Sequence, residues 1–205
     1  MIFIVQIKKD EVRNAILCEA EKEFIDKGFA NASVRKIVKL AGTTIGNFYN
    51  YFRNKEDLFG ALVDSEYKKF IYFIENHDKV ERPDYLWQIS DVSEWRKVLQ
   101  QLLNSVMPSF SDRFVLLIES SKGTRYENTR MKMIDLLKDH FAEHMNVNTS
   151  INTGEALGEI IAEQILNGVV AVLKRCKDEQ TRKELLAEYM LLHFIGVMGL
   201  LGNWK

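Results

Sequence analysis

The stretch SVRKIVKLAGTTIGNFYNYFRNKEDLFGALV, residues 33–63, decides the fold. Ser33 is a good N-cap for a short helix whose apolar side is Val34, Ile37, Val38 and Ala41, and Gly42 can take the left-handed turn that ends it. Two residues later Thr44 can cap a second short helix reaching about Asn50, with Phe48 and Phe52 turned inward. Thr43, Thr44, Asn47, Tyr49 and Tyr51 crowd around that helix, more hydroxyls and amides than a buried core has use for.

Before this stretch, Val12, Ile16, Leu17, Ala20 and Phe24 recur at helical spacing between Lys9 and Lys27, and Gly28 closes that longer helix. A long helix followed by two short ones across a glycine turn is the helix-turn-helix arrangement. The N-terminal half of its last helix offers hydroxyls and free amides to phosphate oxygens, and side chains to base edges in the major groove. Gly46 removes a side chain from the face that approaches DNA, against a helix preference of about 1 kcal/mol for alanine. Lys55 falls in the first turn of the following helix, capped by Asn54, where a cation opposes the helix dipole; a nearby phosphate is expected to offset that.

These residues resemble the helix-turn-helix and fourth-helix start of the tetracycline-repressor (TetR/AcrR) family. Ala41, Gly42, Thr44, Gly46, Phe48, Tyr49, Phe52, Lys55, Glu56 and Leu58 fit its pattern, as do Phe24 and Gly28, over about residues 9–65. Ile45 departs from it: many members carry a DNA-touching lysine there, so apolar readout, for example of a thymine methyl, is expected instead. The resemblance implies that Ser33, Arg35, Thr43, Thr44, Tyr49, Tyr51 and Lys55 contact or position phosphates, while Ile45 and Asn47 face bases. It implies an all-α fold, with an N-terminal three-helix DNA-binding domain at 1–53 and a larger helical effector-binding and dimerisation domain at 54–205. It further implies a homodimer on a palindromic double-stranded DNA operator, its recognition helices roughly 34–36 Å apart, acting as a repressor released by a small-molecule effector.

Composition agrees with a soluble helical protein: 205 residues, 46% hydrophobic, 28% charged and only two prolines. The net charge of −1 hides an asymmetry. Residues 1–55 hold ten Lys or Arg against six acids, while the remainder holds 18 against 23, as expected when a polyanion-binding module is joined to one that does not touch the polyanion. Cys18 and Cys176 form no CxxC pair, which favours a reducing cytoplasm over a disulfide framework. The opening MIFIVQIKK reads as a floppy or docking extension rather than a signal peptide. The apolar run at 190–202 is shorter than the roughly 20 residues of a spanning helix, so no membrane partner is expected.

Further helices are expected at 54–76, 93–106 and 112–121, then from a TRYE capping box at 124–127 to about Asn146, with Thr153 and a TRKE box at 181–184 introducing two more. The segment 77–92, with Pro83, reads as a connection, and Pro108 as a helix stop. Trp87, Trp95, Met107, Phe110, Phe114, Tyr126, Met131, Met133 and Phe141 are candidates to line a pocket for an apolar or aromatic effector, although most of them are more simply core residues. His140 and His144 share a helix face but have no third partner at ligand spacing, so neither a metal nor a cofactor is expected. Leu157, Ile160, Ile161, Ile165, Val169, Val172 and Leu173 form one apolar stripe, and Leu185, Tyr189, Leu192, Gly196 and Leu200 another. Together they are wider than one domain needs, which points to the dimer interface; an internal helical hairpin is the alternative. No nucleophile, base and acid stand at motif spacing, so an enzyme is not expected. The rival is a helical enzyme or interaction module whose N-terminal helices only pack.

Overall fold

A computed structural model describes residues 2–76, 91–106, 110–145 and 154–200. Every regular element among the described residues is helical: α1 (Ile2–Asn31), α2 (Val34–Leu40), α3 (Ile45–Phe48), α4 (Lys55–Asn76), α5 (Val92–Val106), α6 (Asp112–Glu119), α7 (Thr129–Met145), α8 (Gly154–Arg175) and α9 (Glu179–Leu200). Pro83, Pro108 and Thr153 lie outside the described residues.

The chain divides into two compact units, Met1–Lys68 with Arg113–Thr129, and Lys69–Asp112 with Arg130–Lys205. This differs from a boundary at 53, and the core of the first unit shows why. Ile16, Ala20 and Phe24 of α1 are buried together with Leu58, Phe59, Leu62 and Val63 of α4, so the first half of α4 belongs with the helix-turn-helix. The rings of Phe24, Phe29 and Phe59 form a triangle with centroids 5.9, 5.2 and 5.4 Å apart. α6 joins this unit through five consecutive buried residues, Phe114–Ile118. Phe29 N donates to Ser120 O at 3.0 Å, and Arg113 Nε pairs with Glu21 at 3.0 Å.

α1 begins at Ile2, so the opening apolar residues continue the first helix. It breaks at Gly28, whose φ of 70° and ψ of 162° suit glycine alone. Ser33 Oγ caps α2 by accepting from Lys36 N at 3.3 Å, and Thr44 Oγ1 caps α3 by accepting from Asn47 N at 3.2 Å. α3 is shorter than the expected reach to Asn50: after Phe48 the chain continues in turns, with Tyr51 N and Phe52 N both donating to Phe48 O. The TRYE segment does not open a helix. Thr124 Oγ1 accepts from Tyr126 N at 3.0 Å and Glu127 from Gly123 N at 3.0 Å, so the side chains that would have capped a helix close a turn, and α7 starts at Thr129.

In the second unit, Trp95 and Leu99 of α5 pack on Leu191 of α9, joined by Val98 and Ile195. Asp178 caps α9, in place of the expected threonine box: its Oδ2 accepts from Thr181 N and Oγ1, both at 2.7 Å. Tyr189 donates to Gln164 O and lies so close on Gly168 that a Cβ there would overlap its ring. The apolar stripe of α8 is not a single interface. Ile165, Val169 and Val172 are buried inside the unit, while Ile160 is exposed and Leu157 and Ile161 are partly so. On α9, Leu185 and Leu192 are exposed, the latter by 69%; Tyr189 is half-buried, Gly196 is exposed, and the side chain of Leu200 lies outside the described residues.

Gly42 has a φ of 67° with open space where a Cβ would go, so only backbone strain opposes substitution. Gly42→Ala is expected to destabilise the protein by about 1–2 kcal/mol in denaturant unfolding.

Candidate nucleic-acid interface

The helix-turn-helix is held on α1 by a buried carboxylate. Glu23 is 6% exposed; it accepts from Ser33 N at 3.3 Å and pairs with Lys36 Nζ at 2.5 Å. The Lys36 hydrogen bond, aided by the Ser33 amide, holds its carboxyl below the usual glutamate range. One side chain thus fixes both the N-cap and the first turn of α2, and neither the cap nor the lysine reveals it in sequence.

Around α3 the polar groups are tied to one another. Asn47 Nδ2 donates to Thr43 Oγ1 at 2.8 Å, and Asn47 Oδ1 accepts from Asn50 Nδ2 at 3.0 Å. Ser33, Arg35, Thr44, Ile45 and Tyr49 are exposed, and Thr43, Asn47 and Tyr51 are half-buried. Among the described residues, Arg35 and Lys39 are exposed cations with no ion pair, whereas Lys36 is held by Glu23 and Arg53 by Asp57 at 3.3 Å. Nine residues were expected at the DNA face, and eight lie on α2 with its N-cap Ser33, on α3 and in the turns flanking α3.

Lys55 is the exception. Its Nζ donates to the carbonyls of Phe29, Ala30 and Ala32 at 2.7, 3.2 and 3.1 Å, and lies 4.6 Å from the Phe29 ring centroid. Partial burial keeps its pKa below the ordinary lysine value. Carbonyls at the negative end of α1 thus offset its unfavourable place at the start of α4.

The residues expected to line a pocket are not brought together. Phe114 is buried in the first unit, as is Tyr126, whose hydroxyl donates to Asp64 at 3.0 Å and accepts from Arg125 at 2.6 Å. Tyr126 also lies against Gly60, where a Cβ would stand 3.3 Å from its hydroxyl. Burial raises its pKa. In the second unit Trp95 belongs to the α5–α9 core, and Phe110 and Met133 are buried, but Met131 is 66% exposed. Trp87 and Met107 lie outside the described residues, as do the side chains of Phe141, His140 and His144. Among the described residues no group of three His, Cys, Asp or Glu stands close enough to hold a metal.

Lys55→Ala is expected to lower unfolding free energy by about 1–2 kcal/mol, near the low end for hydrogen bonds to a charged group because solvent reaches this one. The salt slope of DNA binding should not change; a slope lower by about 1 would return Lys55 to a phosphate. For Glu23, a folded pKa below the unfolded one means that its contribution is complete above about pH 4.3 and fades as pH falls through the folded value. The difference in thermal midpoint between the native protein and Glu23→Gln should stay constant from about pH 6 to 8 and close below about pH 4.

Residues 16–62 match the bacterial regulatory proteins of the tetR family. The HTH-type transcriptional regulator TtgR of Pseudomonas putida is 33% identical over 98 residues, 47% of this chain and 43% of that protein. The uncharacterised HTH-type transcriptional regulator YdgC of Bacillus subtilis is 45% identical over 53 residues, 26% of this chain and 27% of that one. The matched part spans less than half the length of these curated relatives. Among solved structures, AibR in complex with isovaleryl coenzyme A and operator DNA shares the fold, with a TM-score of 0.54 at 17% identity over 88% of this chain and 96% of that one.

Proposed function

We propose a function from one premise: through residues 16–62 the chain belongs to the tetR family of bacterial regulatory proteins. It is a DNA-binding transcriptional regulator, a repressor that binds a palindromic double-stranded operator as a homodimer and is released by a small-molecule effector. The observation that carries this reading is the exposure of Thr44, Ile45 and Tyr49 on and around α3, together with Arg35 and Lys39 of α2, exposed cations with no ion pair among the described residues. Side chains that reach base edges and cations that reach phosphates are the two kinds of contact a duplex reader needs. The relatives are named as transcriptional regulators, which argues against the helical-enzyme alternative.

The homodimer is supported by exposed Ile160, Leu185 and Leu192 on α8 and α9, apolar groups that a twofold mate would cover. A second unit holding an effector is supported by the shared fold of AibR, solved with a small molecule and operator DNA together. Of the candidate lining residues, Trp95, Phe110 and Met133 are buried in the second unit, the unit that would hold an apolar or aromatic effector. The site of action is the cytoplasm, where the operator is.

Selection of bound sequences from a random duplex pool, at near-physiological salt, tests the reading. An enriched palindrome with half-sites about one turn apart is expected; no enrichment by folded protein would overturn both operator and dimer. Once a releasing effector is found, linkage requires the operator to weaken its binding by the same factor, commonly about 1–3 kcal/mol.

A further inference from the structure

α3 presents exposed apolar surface at its first turn. Ile45, at its first position, is 40% exposed, and Tyr49, one turn later on the same side, is 62% exposed. Between them, a Cβ on Gly46 would meet only Thr44 Oγ1, at 4.0 Å. Nothing within the protein requires glycine there, and φ is not positive, so its helix penalty of about 1 kcal/mol goes uncompensated by packing. An absent side chain beside an exposed isoleucine suits the close approach of a flat edge from outside.

Asn47, the polar candidate for base reading, is anchored at both ends of its amide. Its Nδ2 is on Thr43 Oγ1 and its Oδ1 on Asn50 Nδ2, and the residue is half-buried. Both ends of the amide are thus already engaged within the protein and its orientation is fixed, whereas Ile45 has no polar partner to compete with a base. In the major groove the apolar feature on offer is the C5 methyl of thymine.

We infer that the operator half-site is discriminated by Ile45 against a thymine methyl, with Gly46 admitting the base edge, and not by an amide–adenine pair from Asn47. Asn47 instead positions Thr43 and Asn50. This rests on the operator-binding reading above. It also narrows that reading from two base-facing residues to one, and names the atom that is read.

The test uses the selected operator with each thymine replaced in turn, symmetrically in both half-sites, by deoxyuridine, which removes the methyl and leaves the pairing edge intact. At one position the native protein should lose about fourfold in affinity per half-site, the worth of one buried methyl group. Ile45→Ala should bind the thymine and deoxyuridine operators equally. Replacing adenines by 7-deazaadenine, which deletes the N7 acceptor, should cause no loss that depends on Asn47. Gly46→Ala should remain folded and bind the operator more weakly. The inference is overturned if no thymine shows an Ile45-dependent loss, or if a 7-deazaadenine loss disappears in Asn47→Ala. A selection that enriches no sequence overturns the operator reading and this inference together, whereas an operator indifferent to deoxyuridine overturns this inference alone.

Discussion

The N-terminal unit is organised around the end of α1. A helix that stops inside a folded unit leaves carbonyl oxygens without intrahelical donors, and the break at Gly28 places those of Phe29, Ala30 and Ala32 together. Lys55 reaches them from the first turn of α4 and lies over the Phe29 ring, which also stands against Phe24 and Phe59. One ammonium therefore joins the start of α4 to the end of α1 at the edge of an aromatic cluster. The electrostatics are consistent on one side only: the cation is unfavourable for the dipole of α4 and favourable for that of α1, and three hydrogen bonds to carbonyls add to the favourable side.

The same unit positions α2 and α3 by polar locks rather than by packing area alone. α2 is short, and a helix of that length has little stability of its own. Glu23 supplies from α1 what α2 lacks, holding Ser33 N and Lys36 Nζ at once. Thr43, Asn47 and Asn50 form a second chain of bonds along α3. Groups engaged in this way hold α3 in place, which under the proposed function would lower the ordering cost of binding DNA. Arg35, Lys39, Thr44, Ile45 and Tyr49 are among the side chains that remain exposed there.

Local chemistry was legible in the sequence, and tertiary partnership was not. The caps Ser33 and Thr44, the turn at Gly42, the stop at Gly28 and the span of α4 all follow from interactions within a few residues. Lys55 shows the limit: its poor fit to its own helix was readable, but the carbonyls that resolve it lie more than twenty residues earlier. Phe114 and Tyr126 fail as pocket residues for the same reason. Aromatic character alone does not separate a cavity from a core, and here the outcome depends on a distant segment docking against α1 and α4. The TRYE motif had the right residues for a cap, yet Thr124 and Glu127 close a turn around Gly123, at φ 84°.

α8 shows how a stripe too wide for one partner divides. By length and composition Ala156–Arg175 is apolar enough to cross a membrane. A spanning helix, however, has no polar residues facing lipid, whereas Glu159, Glu163, Gln164 and Asn167 of α8 are exposed. Its buried side, with Ala162, Ile165, Leu166, Val169, Val170 and Leu173, accounts for the high hydropathy as the core of a helical unit. Among the described residues, what the core leaves uncovered on α8 is small, Ile160 with partly exposed Leu157 and Ile161; on α9 Leu185 and Leu192 are exposed. An uncovered remainder of that kind is too narrow for a bilayer and has the form that twofold helix pairing buries. The stripe read as one interface is thus mostly internal packing, and the dimer argument rests on the few residues that packing does not reach.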